Sequence, residues 1–198
     1  MRRASLATLA CPVCHAGLTM QADPVDPVEN GSLHCLTCQK DYPVLLGIPH
    51  FIQSAELSGF NRRFALLYDR FSWAYQPFLA VAFAIIGITE ERARREILDR
   101  LEPGGGKVLE VSIGPGGNLP FLVNRPDVGE AFGLDISLGQ LRRCRSYTRR
   151  KGWPVDLFLG NAEQLPFQDG AFDSLLYAGG IKFFIDKKKA FAEMIRVV

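Results

Sequence analysis

The stretch KVLEVSIGPGGNL, residues 107–119, constrains the fold more than any other part of the sequence. Its Val108, Leu109 and Val111 form a run typical of a buried strand, a glycine-rich turn follows, and LPFLV begins as a helix. Further strands are predicted at 131–136, 155–160 and 172–178, with helical segments between them. Strands and helices that alternate in this way build a parallel sheet covered by helices. The sequence therefore predicts an α/β fold with its ligand site at the carboxyl edge of the sheet, beside the glycine turn.

Three classes of ligand compete for this turn. A Walker-type phosphate loop needs a lysine after its glycines, whereas Asn118 and Leu119 stand here. A dinucleotide fingerprint fails at Leu119, where its last glycine belongs, and Glu110 would place a negative charge near the pyrophosphate. S-adenosylmethionine has no phosphate and carries an ammonium and a sulfonium. A carboxylate beside a bare turn suits that ligand best.

Four motifs in order resemble the class I S-adenosylmethionine-dependent methyltransferases over about residues 60–198. They are VLEVSIGPGGN, GLDIS, GNAEQLPF and FDSLLYAGGIKFF. The resemblance implies a Rossmann-like parallel sheet in the order 3-2-1-4, with Asp135 on the ribose, Asn161 and Ala162 on the adenine, and Glu110 at the methionine end. The full set of cofactor-binding residues that it implies is Tyr68, Glu110, Ser112, Gly114, Gly116, Asn118, Asp135, Ile136, Asn161, Ala162, Tyr177, Ala178 and Gly179. No residue stands out as a catalytic base.

The chain departs from the family pattern in three places. Ser112 replaces the first glycine of the turn, and Asn161 stands where the family often has Asp, although its carbonyl oxygen can still accept a hydrogen bond. EMIRVV ends where the family continues with strands five to seven. We therefore expect a C-terminally truncated domain whose last strand, at 173–178, is a sheet edge that promotes self-association.

The acceptor of the methyl group is predicted from two further stretches. LEVSIGPGGNLP and YDRFSWAYQP look most like the menaquinone and ubiquinone biosynthesis methyltransferases of methyltransferase type 11, which implies a small lipophilic or quinone-like acceptor. The helix at 61–85 carries an aromatic face, including Tyr68 and Tyr75, that either packs on the core or roofs the ligand pocket.

Two alternatives to this function remain. The basic stretch RRCRSYTRRK, residues 142–151, favours an rRNA or tRNA methyltransferase if it contacts phosphates, but it also fits a solvated outer helix. The missing C-terminal strands would also fit a non-catalytic module that binds cofactor or a partner. A small-molecule acceptor is the main expectation, and nucleic acid is the less favoured partner.

Four of the five cysteines predict a metal site. Cys11, Cys14, Cys35 and Cys38 have the spacing C-x2-C-x20-C-x2-C, which lets two knuckles share one tetrahedral ion and leaves no open coordination position. We expect structural zinc. Two disulfides, inert core cysteines, or a mixed site that includes His15 or His34 are the alternatives. Cys144 stands alone and is expected to be a bystander.

The cysteines and the DYPVLLGIPHFI tail resemble a tRNA-methyltransferase activator ribbon over about residues 8–53. Such a ribbon binds a protein partner or braces a neighbouring domain. The predicted organisation is a zinc ribbon at 8–53, a helical cap or linker at 54–103 and an incomplete methyltransferase core at 104–198. We expect metal chelation to unfold the ribbon and spare the sheet domain.

Composition agrees with a globular, cytoplasmic protein. The 198 residues carry 23 Lys and Arg against 21 Asp and Glu, a net charge of +2 that does not make nucleic acid the default partner. The longest apolar run, residues 77–88, is too short for a transmembrane helix of about 20 residues. The N-terminus has no room for a full signal peptide before the first cysteine pair.

Overall fold

The computed structural model describes residues 1–52, 89–178 and 184–198. The aromatic helix face predicted at 61–85, with Tyr68 and Tyr75, lies outside these residues, and so does Gly179. Most of the predicted cap at 54–103 is likewise not described.

The N-terminal part of the chain is a small antiparallel sheet. After a 3-10 helix at Arg3–Thr8, four strands follow in the order in which they occur in the sequence. They are β1 (Thr19–Ala22), β2 (Gly31–Cys35), β3 (Lys40–Leu45) and β4 (Ile48–Pro49). The first cysteine pair precedes β1, and the second pair occupies the turn between β2 and β3. Because Cys35 pairs with Lys40 at the end of that ladder, the turn projects both of its cysteines from one end of the sheet.

The second part is a four-stranded parallel sheet. Its strands are β5 (Lys107–Val111), β6 (Glu130–Asp135), β7 (Val155–Leu159) and β8 (Ser174–Tyr177). Their order across the sheet is β7-β6-β5-β8, which is the predicted order 3-2-1-4. The predicted α/β fold and its preceding small sheet are thus confirmed. Within the described residues, β8 forms the last strand on its side of the sheet.

Four helices accompany the parallel sheet in the described ranges. They are α1 (Glu90–Leu98), α2 (Leu119–Leu122), α3 (Leu138–Lys151) and α4 (Lys187–Arg196). Thr89 begins α1, because its side-chain oxygen accepts a hydrogen bond from the N–H of Arg92 at 3.2 Å. Gly152, with φ 67°, ends α3 in the left-handed conformation that glycine adopts at low cost. Among the described residues, no helix is long and apolar enough to cross a membrane.

The two sheets share one hydrophobic core. A continuous cluster of buried side chains runs from Leu33 and Val44 in the antiparallel sheet to Phe132 and Phe158 in the parallel sheet. His50, directly after β4, pairs in parallel with Leu159 at the end of β7. The small sheet therefore extends the edge of the parallel sheet.

A buried carboxylate also joins the two parts. Asp156 in β7 is 4% exposed, and it accepts hydrogen bonds from the backbone N–H and the Nε of Arg2, both at 2.9 Å. The hydroxyl of Ser5 also donates to this carboxylate. A buried charge needs such partners, so this contact fixes the N-terminal segment against the parallel sheet.

Candidate functional site

The glycine turn after β5 has two distinct sides. Ser112, Gly114 and Gly116 all have positive φ angles, of 59°, 56° and 87°. Among the described residues, a Cβ on Gly114 would meet no atom within 4 Å. A Cβ on Gly116 would lie 2.8 Å from Leu119 Cδ1 and 2.9 Å from Cys144 Sγ. Gly116 thus allows the turn to pack closely on α3, while Gly114 leaves bare backbone toward a ligand.

Glu110 lies near the carboxyl end of β5, a central strand, and is 2% exposed. Its Oε1 accepts a hydrogen bond from Asn118 Nδ2 at 2.7 Å, and its buried Oε2 has no partner within the described part of the chain. Burial raises the pKa of Glu110 to about 8, against the opposing effects of the Asn118 hydrogen bond and the Arg94 charge, and with a further increase from Asp135. An unpartnered buried carboxyl oxygen is costly unless a donor arrives. The site therefore fits a cationic ligand group.

Asp135 ends β6 beside Glu110 and holds two loops. Its Oδ2 accepts the N–H of Gly114 at 2.8 Å, and its Oδ1 accepts the N–H of Ser137 at 2.9 Å. A carboxylate oxygen has more than one lone pair, so these two backbone hydrogen bonds do not by themselves prevent Asp135 from accepting others. The next residue, Ile136, is half-buried.

The remaining predicted cofactor-binding residues that the structure describes lie after β7 and at the end of β8. Asn161, after β7, uses its Oδ1 to accept the N–H of Glu163 at 3.0 Å, while Ala162 is buried. Tyr177 ends β8 with its ring stacked on Phe184 at 5.1 Å and its hydroxyl buried without a partner in the described ranges. Burial raises the pKa of this hydroxyl to about 12. Ala178 is exposed.

All of these residues meet at the carboxyl edge because their strands are parallel neighbours. The structure therefore brings Glu110, Gly114, Asp135, Asn161 and Tyr177 to one edge of the sheet. Their individual roles stay predictions. Tyr68 and Gly179 fall in the two ranges that are not described.

Sequence reasoning missed one residue of this site, Arg94 in α1. Its Nη1 donates a hydrogen bond to Asn118 Oδ1. A Cβ on Gly117 would lie 2.7 Å from its Nη2, so the guanidinium fills the space over this part of the turn. The segment EERARREIL contains six charged residues with no feature that singles out this arginine. Only the packing of α1 against α2 shows its place.

The isolated thiol of Cys144 lies directly beneath the turn. It is fully buried, and burial raises its pKa, with smaller contributions from Glu110 and Asp135. A thiol that stays protonated and inaccessible is a poor nucleophile.

The four paired cysteines converge on one point. The Sγ atoms of Cys11, Cys14, Cys35 and Cys38 all lie within 4.8 Å of one another. The two nearest sulfur pairs are 3.4 Å and 3.5 Å apart, and all four cysteines are free. A disulfide needs about 2.05 Å, whereas tetrahedral thiolates at about 2.3 Å from zinc lie about 3.8 Å apart. The geometry fits a single metal ion and not two disulfides.

Hydrogen bonds around the cysteines indicate which side chains belong to the cluster. Burial and side-chain hydrogen bonds with the other three thiols of the cluster raise the pKa of Cys38 to about 12. Burial opposes ionisation of Cys11, but hydrogen bonds led by the one from Tyr42 lower its pKa to about 6. His34 instead pairs with Asp41 at 2.7 Å, and the cluster found among the described residues contains neither His34 nor His15. The mixed-ligand alternative therefore has no support.

The basic stretch at 142–151 forms the outer part of α3, and part of its charge is neutralised. Glu29, in the loop between β1 and β2, forms ion pairs with both Arg145 and Arg149. The sequence stretch contains no acid, so this partner could not be found by reading along the chain. Arg142, Arg150 and Lys151 are exposed.

Comparison with known proteins finds similarity over the part of the chain that forms the parallel sheet. The family described as "Methyltransferase domain" matches residues 108–198. The phthiotriol/phenolphthiotriol dimycocerosates methyltransferase of Mycobacterium tuberculosis is 32% identical over 99 residues, which are 50% of this chain and 36% of that protein. The demethylmenaquinone methyltransferase of Thermus thermophilus is 33% identical over 108 residues, 54% of this chain and 49% of the relative. This chain thus spans about half or less of the length of these curated relatives.

Among solved structures, the [4+2]-cyclase SpnF aligns with a TM-score of 0.57 and 21% identity, over 71% of this chain and 57% of that one. At this identity the likeness concerns the fold alone. The same fold therefore occurs in a protein described as a cyclase, and the reaction must be argued from the site.

Proposed function

We propose that residues 108–198 form a class I S-adenosylmethionine-dependent methyltransferase domain and that the protein transfers a methyl group to a small lipophilic or quinone-like acceptor. The observation that carries this proposal is the buried Oε2 of Glu110, which lacks a partner among the described residues and belongs to the strand that leads into the Gly114 turn. A dinucleotide would bring phosphates to this carboxyl, whereas S-adenosylmethionine would bring an ammonium.

Different residues at the sheet edge would bind different parts of the cofactor. Glu110 would hold the cationic methionine end, Asp135 the ribose hydroxyls, and Asn161 with the Ala162 N–H the adenine edge. Ser112, Gly114, Gly116 and Asn118 form the turn, and Ile136, Tyr177 and Ala178 border the site. When bound, S-adenosylmethionine supplies a methyl group on a sulfonium. In-line displacement depends mainly on alignment, so these residues would act by positioning and by excluding water.

The lipophilic acceptor is supported by the relatives and not by a pocket in the described residues. Two relatives are named as methyltransferases of demethylmenaquinone and of phthiotriol dimycocerosates. The match covers less than half of each, so the acceptor of this chain is a proposal only.

Transfer of labelled methyl groups would test this function. The full chain is incubated with tritiated S-adenosylmethionine and a cell extract, which is then separated into lipid, RNA and protein fractions. We expect label in the lipid fraction, and loss of that label in Asp135→Ala. Label confined to RNA or protein would overturn the proposed acceptor. Cofactor binding without label in any fraction would support a non-catalytic module.

An RNA acceptor is the second candidate, and the exposed cations of α3 are the observation that favours it. Arg142, Arg150 and Lys151 are exposed, while Arg145 and Arg149 are engaged by Glu29. RNA binding through several phosphates would weaken steeply with salt. A titration from 50 to 200 mM salt is the test, since binding of a small lipophilic acceptor should barely change over this range.

We further propose that the four cysteines hold one structural zinc ion, within a ribbon at 8–53 that precedes a cap at 54–103 and a core at 104–198. Four thiolates would complete the coordination shell, so the metal would support folding and not chemistry. The shared core and the Phe51 to Leu159 hydrogen bond favour a ribbon that braces its own domain over one reserved for a partner. Self-association through β8 stays a prediction for sedimentation analysis.

A further inference from the structure

The guanidinium of Arg94 is held above the glycine turn by the way α1 is anchored. At the C-terminal end of α1, Arg125 donates hydrogen bonds to the carbonyls of Leu98 and Leu101 and pairs with Asp127 at 2.6 Å. On the adjacent turn of the helix, Arg95 lies 5.1 Å from the centre of the Phe121 ring. These contacts fix α1 against the α2 segment, so the position of Arg94 is set by packing.

The contact between Arg94 and Asn118 decides which way the Asn118 amide points. An asparagine side chain has one acceptor oxygen and one NH₂ group. The oxygen accepts from Arg94, so the NH₂ group faces Glu110 and donates to Oε1 at 2.7 Å. The reversed amide would place NH₂ against the guanidinium and its oxygen against the carboxylate, and both contacts would be repulsive. Arg94 therefore selects the orientation that holds Glu110.

The charge of Arg94 also favours the ionised form of Glu110. The guanidinium is always protonated, and its charge lowers the pKa of Glu110 against the larger effect of burial. Asp135 acts in the opposite sense, and the remaining ionisable neighbour, Cys144, is a buried thiol with a raised pKa. Among the described residues, Arg94 is the one cation that contributes to the pKa of Glu110.

We propose that Arg94 is a positioning residue: through Asn118 it orients Glu110 and favours its ionised form, so that Oε2 is presented to the cationic amino-acid end of the cofactor. This inference rests on the proposed function. It predicts selectivity for ligands that carry an ammonium, without a direct role of Arg94 in methyl transfer.

Calorimetry over a range of pH would test the proposal. Arg94→Met removes the charge and keeps an unbranched apolar stem, Arg94→Lys keeps the charge, and Arg92→Met, at an exposed position on the same helix, is the matched control. In the wild type, affinity for S-adenosylmethionine should rise with pH up to about 8, as Glu110 ionises. Arg94→Met should bind S-adenosylmethionine about tenfold more weakly at pH 7, and its affinity should reach a plateau about one pH unit higher than that of the wild type. A shift of about one unit is at the low end of the effects that a neighbouring charge has on the pKa of a carboxyl group. Arg94→Lys should restore part of the affinity, and Arg92→Met should match the wild type.

Two further measurements distinguish a failure of the positioning role from a failure of the proposed function. Methylthioadenosine lacks the amino-acid end, so its affinity should not change in Arg94→Met. Weaker binding of both ligands, or weaker S-adenosylmethionine binding with an unchanged pH midpoint, would overturn the positioning role. The carboxyl of Glu110 can also be titrated by carbon NMR in the chain without cofactor. An unchanged titration in Arg94→Met would refute the inference even if the proposed function holds, whereas an upward shift would support it even if the cofactor assignment fails.

Discussion

The peptide N–H of Phe51 donates a hydrogen bond of 2.8 Å to the carbonyl oxygen of Leu159, and thereby joins the end of the ribbon to the end of β7. The segment before the first cysteine pair binds the other end of the loop that follows β7. There, the N–H of Ala10 donates to the Pro166 carbonyl at 3.0 Å, and the N–H of Gln168 donates to the Thr8 carbonyl at 2.9 Å. The loop that carries Asn161 is thus fixed at both ends by segments that flank the cysteine cluster.

Loss of the metal should therefore loosen more than the ribbon. We expect Cys35→Ala to lose the single zinc ion and to increase amide exchange in residues 159–168 as well as in the ribbon, because both share one core. This replaces the expectation from sequence that the sheet domain is spared. Elemental analysis and hydrogen exchange are the measurements. Cys144→Ala is the control that removes a thiol outside the cluster, and full zinc content in Cys35→Ala would contradict the site.

Removal of the Asp135 carboxylate should weaken cofactor binding. Asp135→Ala loses charge-assisted hydrogen bonds to the ribose, worth on the order of 2 to 3 kcal/mol or roughly 30- to 150-fold in affinity. It also frees the N–H groups of Gly114 and Ser137. Calorimetry with S-adenosylmethionine measures the change. Asp173→Ala is a matched control, because Asp173 also holds a backbone N–H, that of Lys107 at 2.7 Å, but at the opposite end of β5. Equal affinities for the wild type and Asp135→Ala would refute the assignment.

Glu110 should make the stability of the cofactor-free chain fall as pH rises. Burial raises its pKa from 4.5 to about 8, so between these values the folded chain keeps a proton that the unfolded chain has released. This contribution is fully present below about pH 4.5 and is lost as pH approaches 8. Urea unfolding from pH 5 to 8 should show a smaller decline in Glu110→Gln than in the wild type. The exposed Glu96→Gln should retain the wild-type slope, and identical slopes in all three proteins would exclude this origin.

Asp156 should be important for stability although it lies away from the cofactor site. Asp156→Ala leaves the N–H and guanidinium of Arg2 and the hydroxyl of Ser5 without their shared acceptor. We expect a loss of about 2 to 3 kcal/mol, less than for a fully buried pair, because Arg2 keeps its ion pair with Glu130. Thermal and urea unfolding measure it. Glu91→Ala breaks the exposed pair with Arg95 and should have a much smaller effect, so similar losses in the two variants would contradict the argument.

Features that depend on local pattern could be predicted from the sequence. The apolar run at 108–111 and the glycines after it specify a strand and a turn, because alternation and φ angles are properties of short segments. The spacing of the four cysteines likewise predicts their convergence, since each pair is confined to one tight turn. The order of the parallel strands followed from the family resemblance, and the structure confirms it.

Tertiary structure alone decided the contacts between distant segments. Arg94 reaches Asn118 across 24 residues, Arg145 reaches Glu29 across 116, and Arg2 reaches Asp156 across 154. In each case at least one other arginine lies nearby in the sequence, and no local periodicity distinguishes the one that is used. The partner is selected by how helices and the small sheet pack on the parallel sheet, because a hydrogen bond in a buried site requires its donor and acceptor to be brought within about 3 Å by the whole fold.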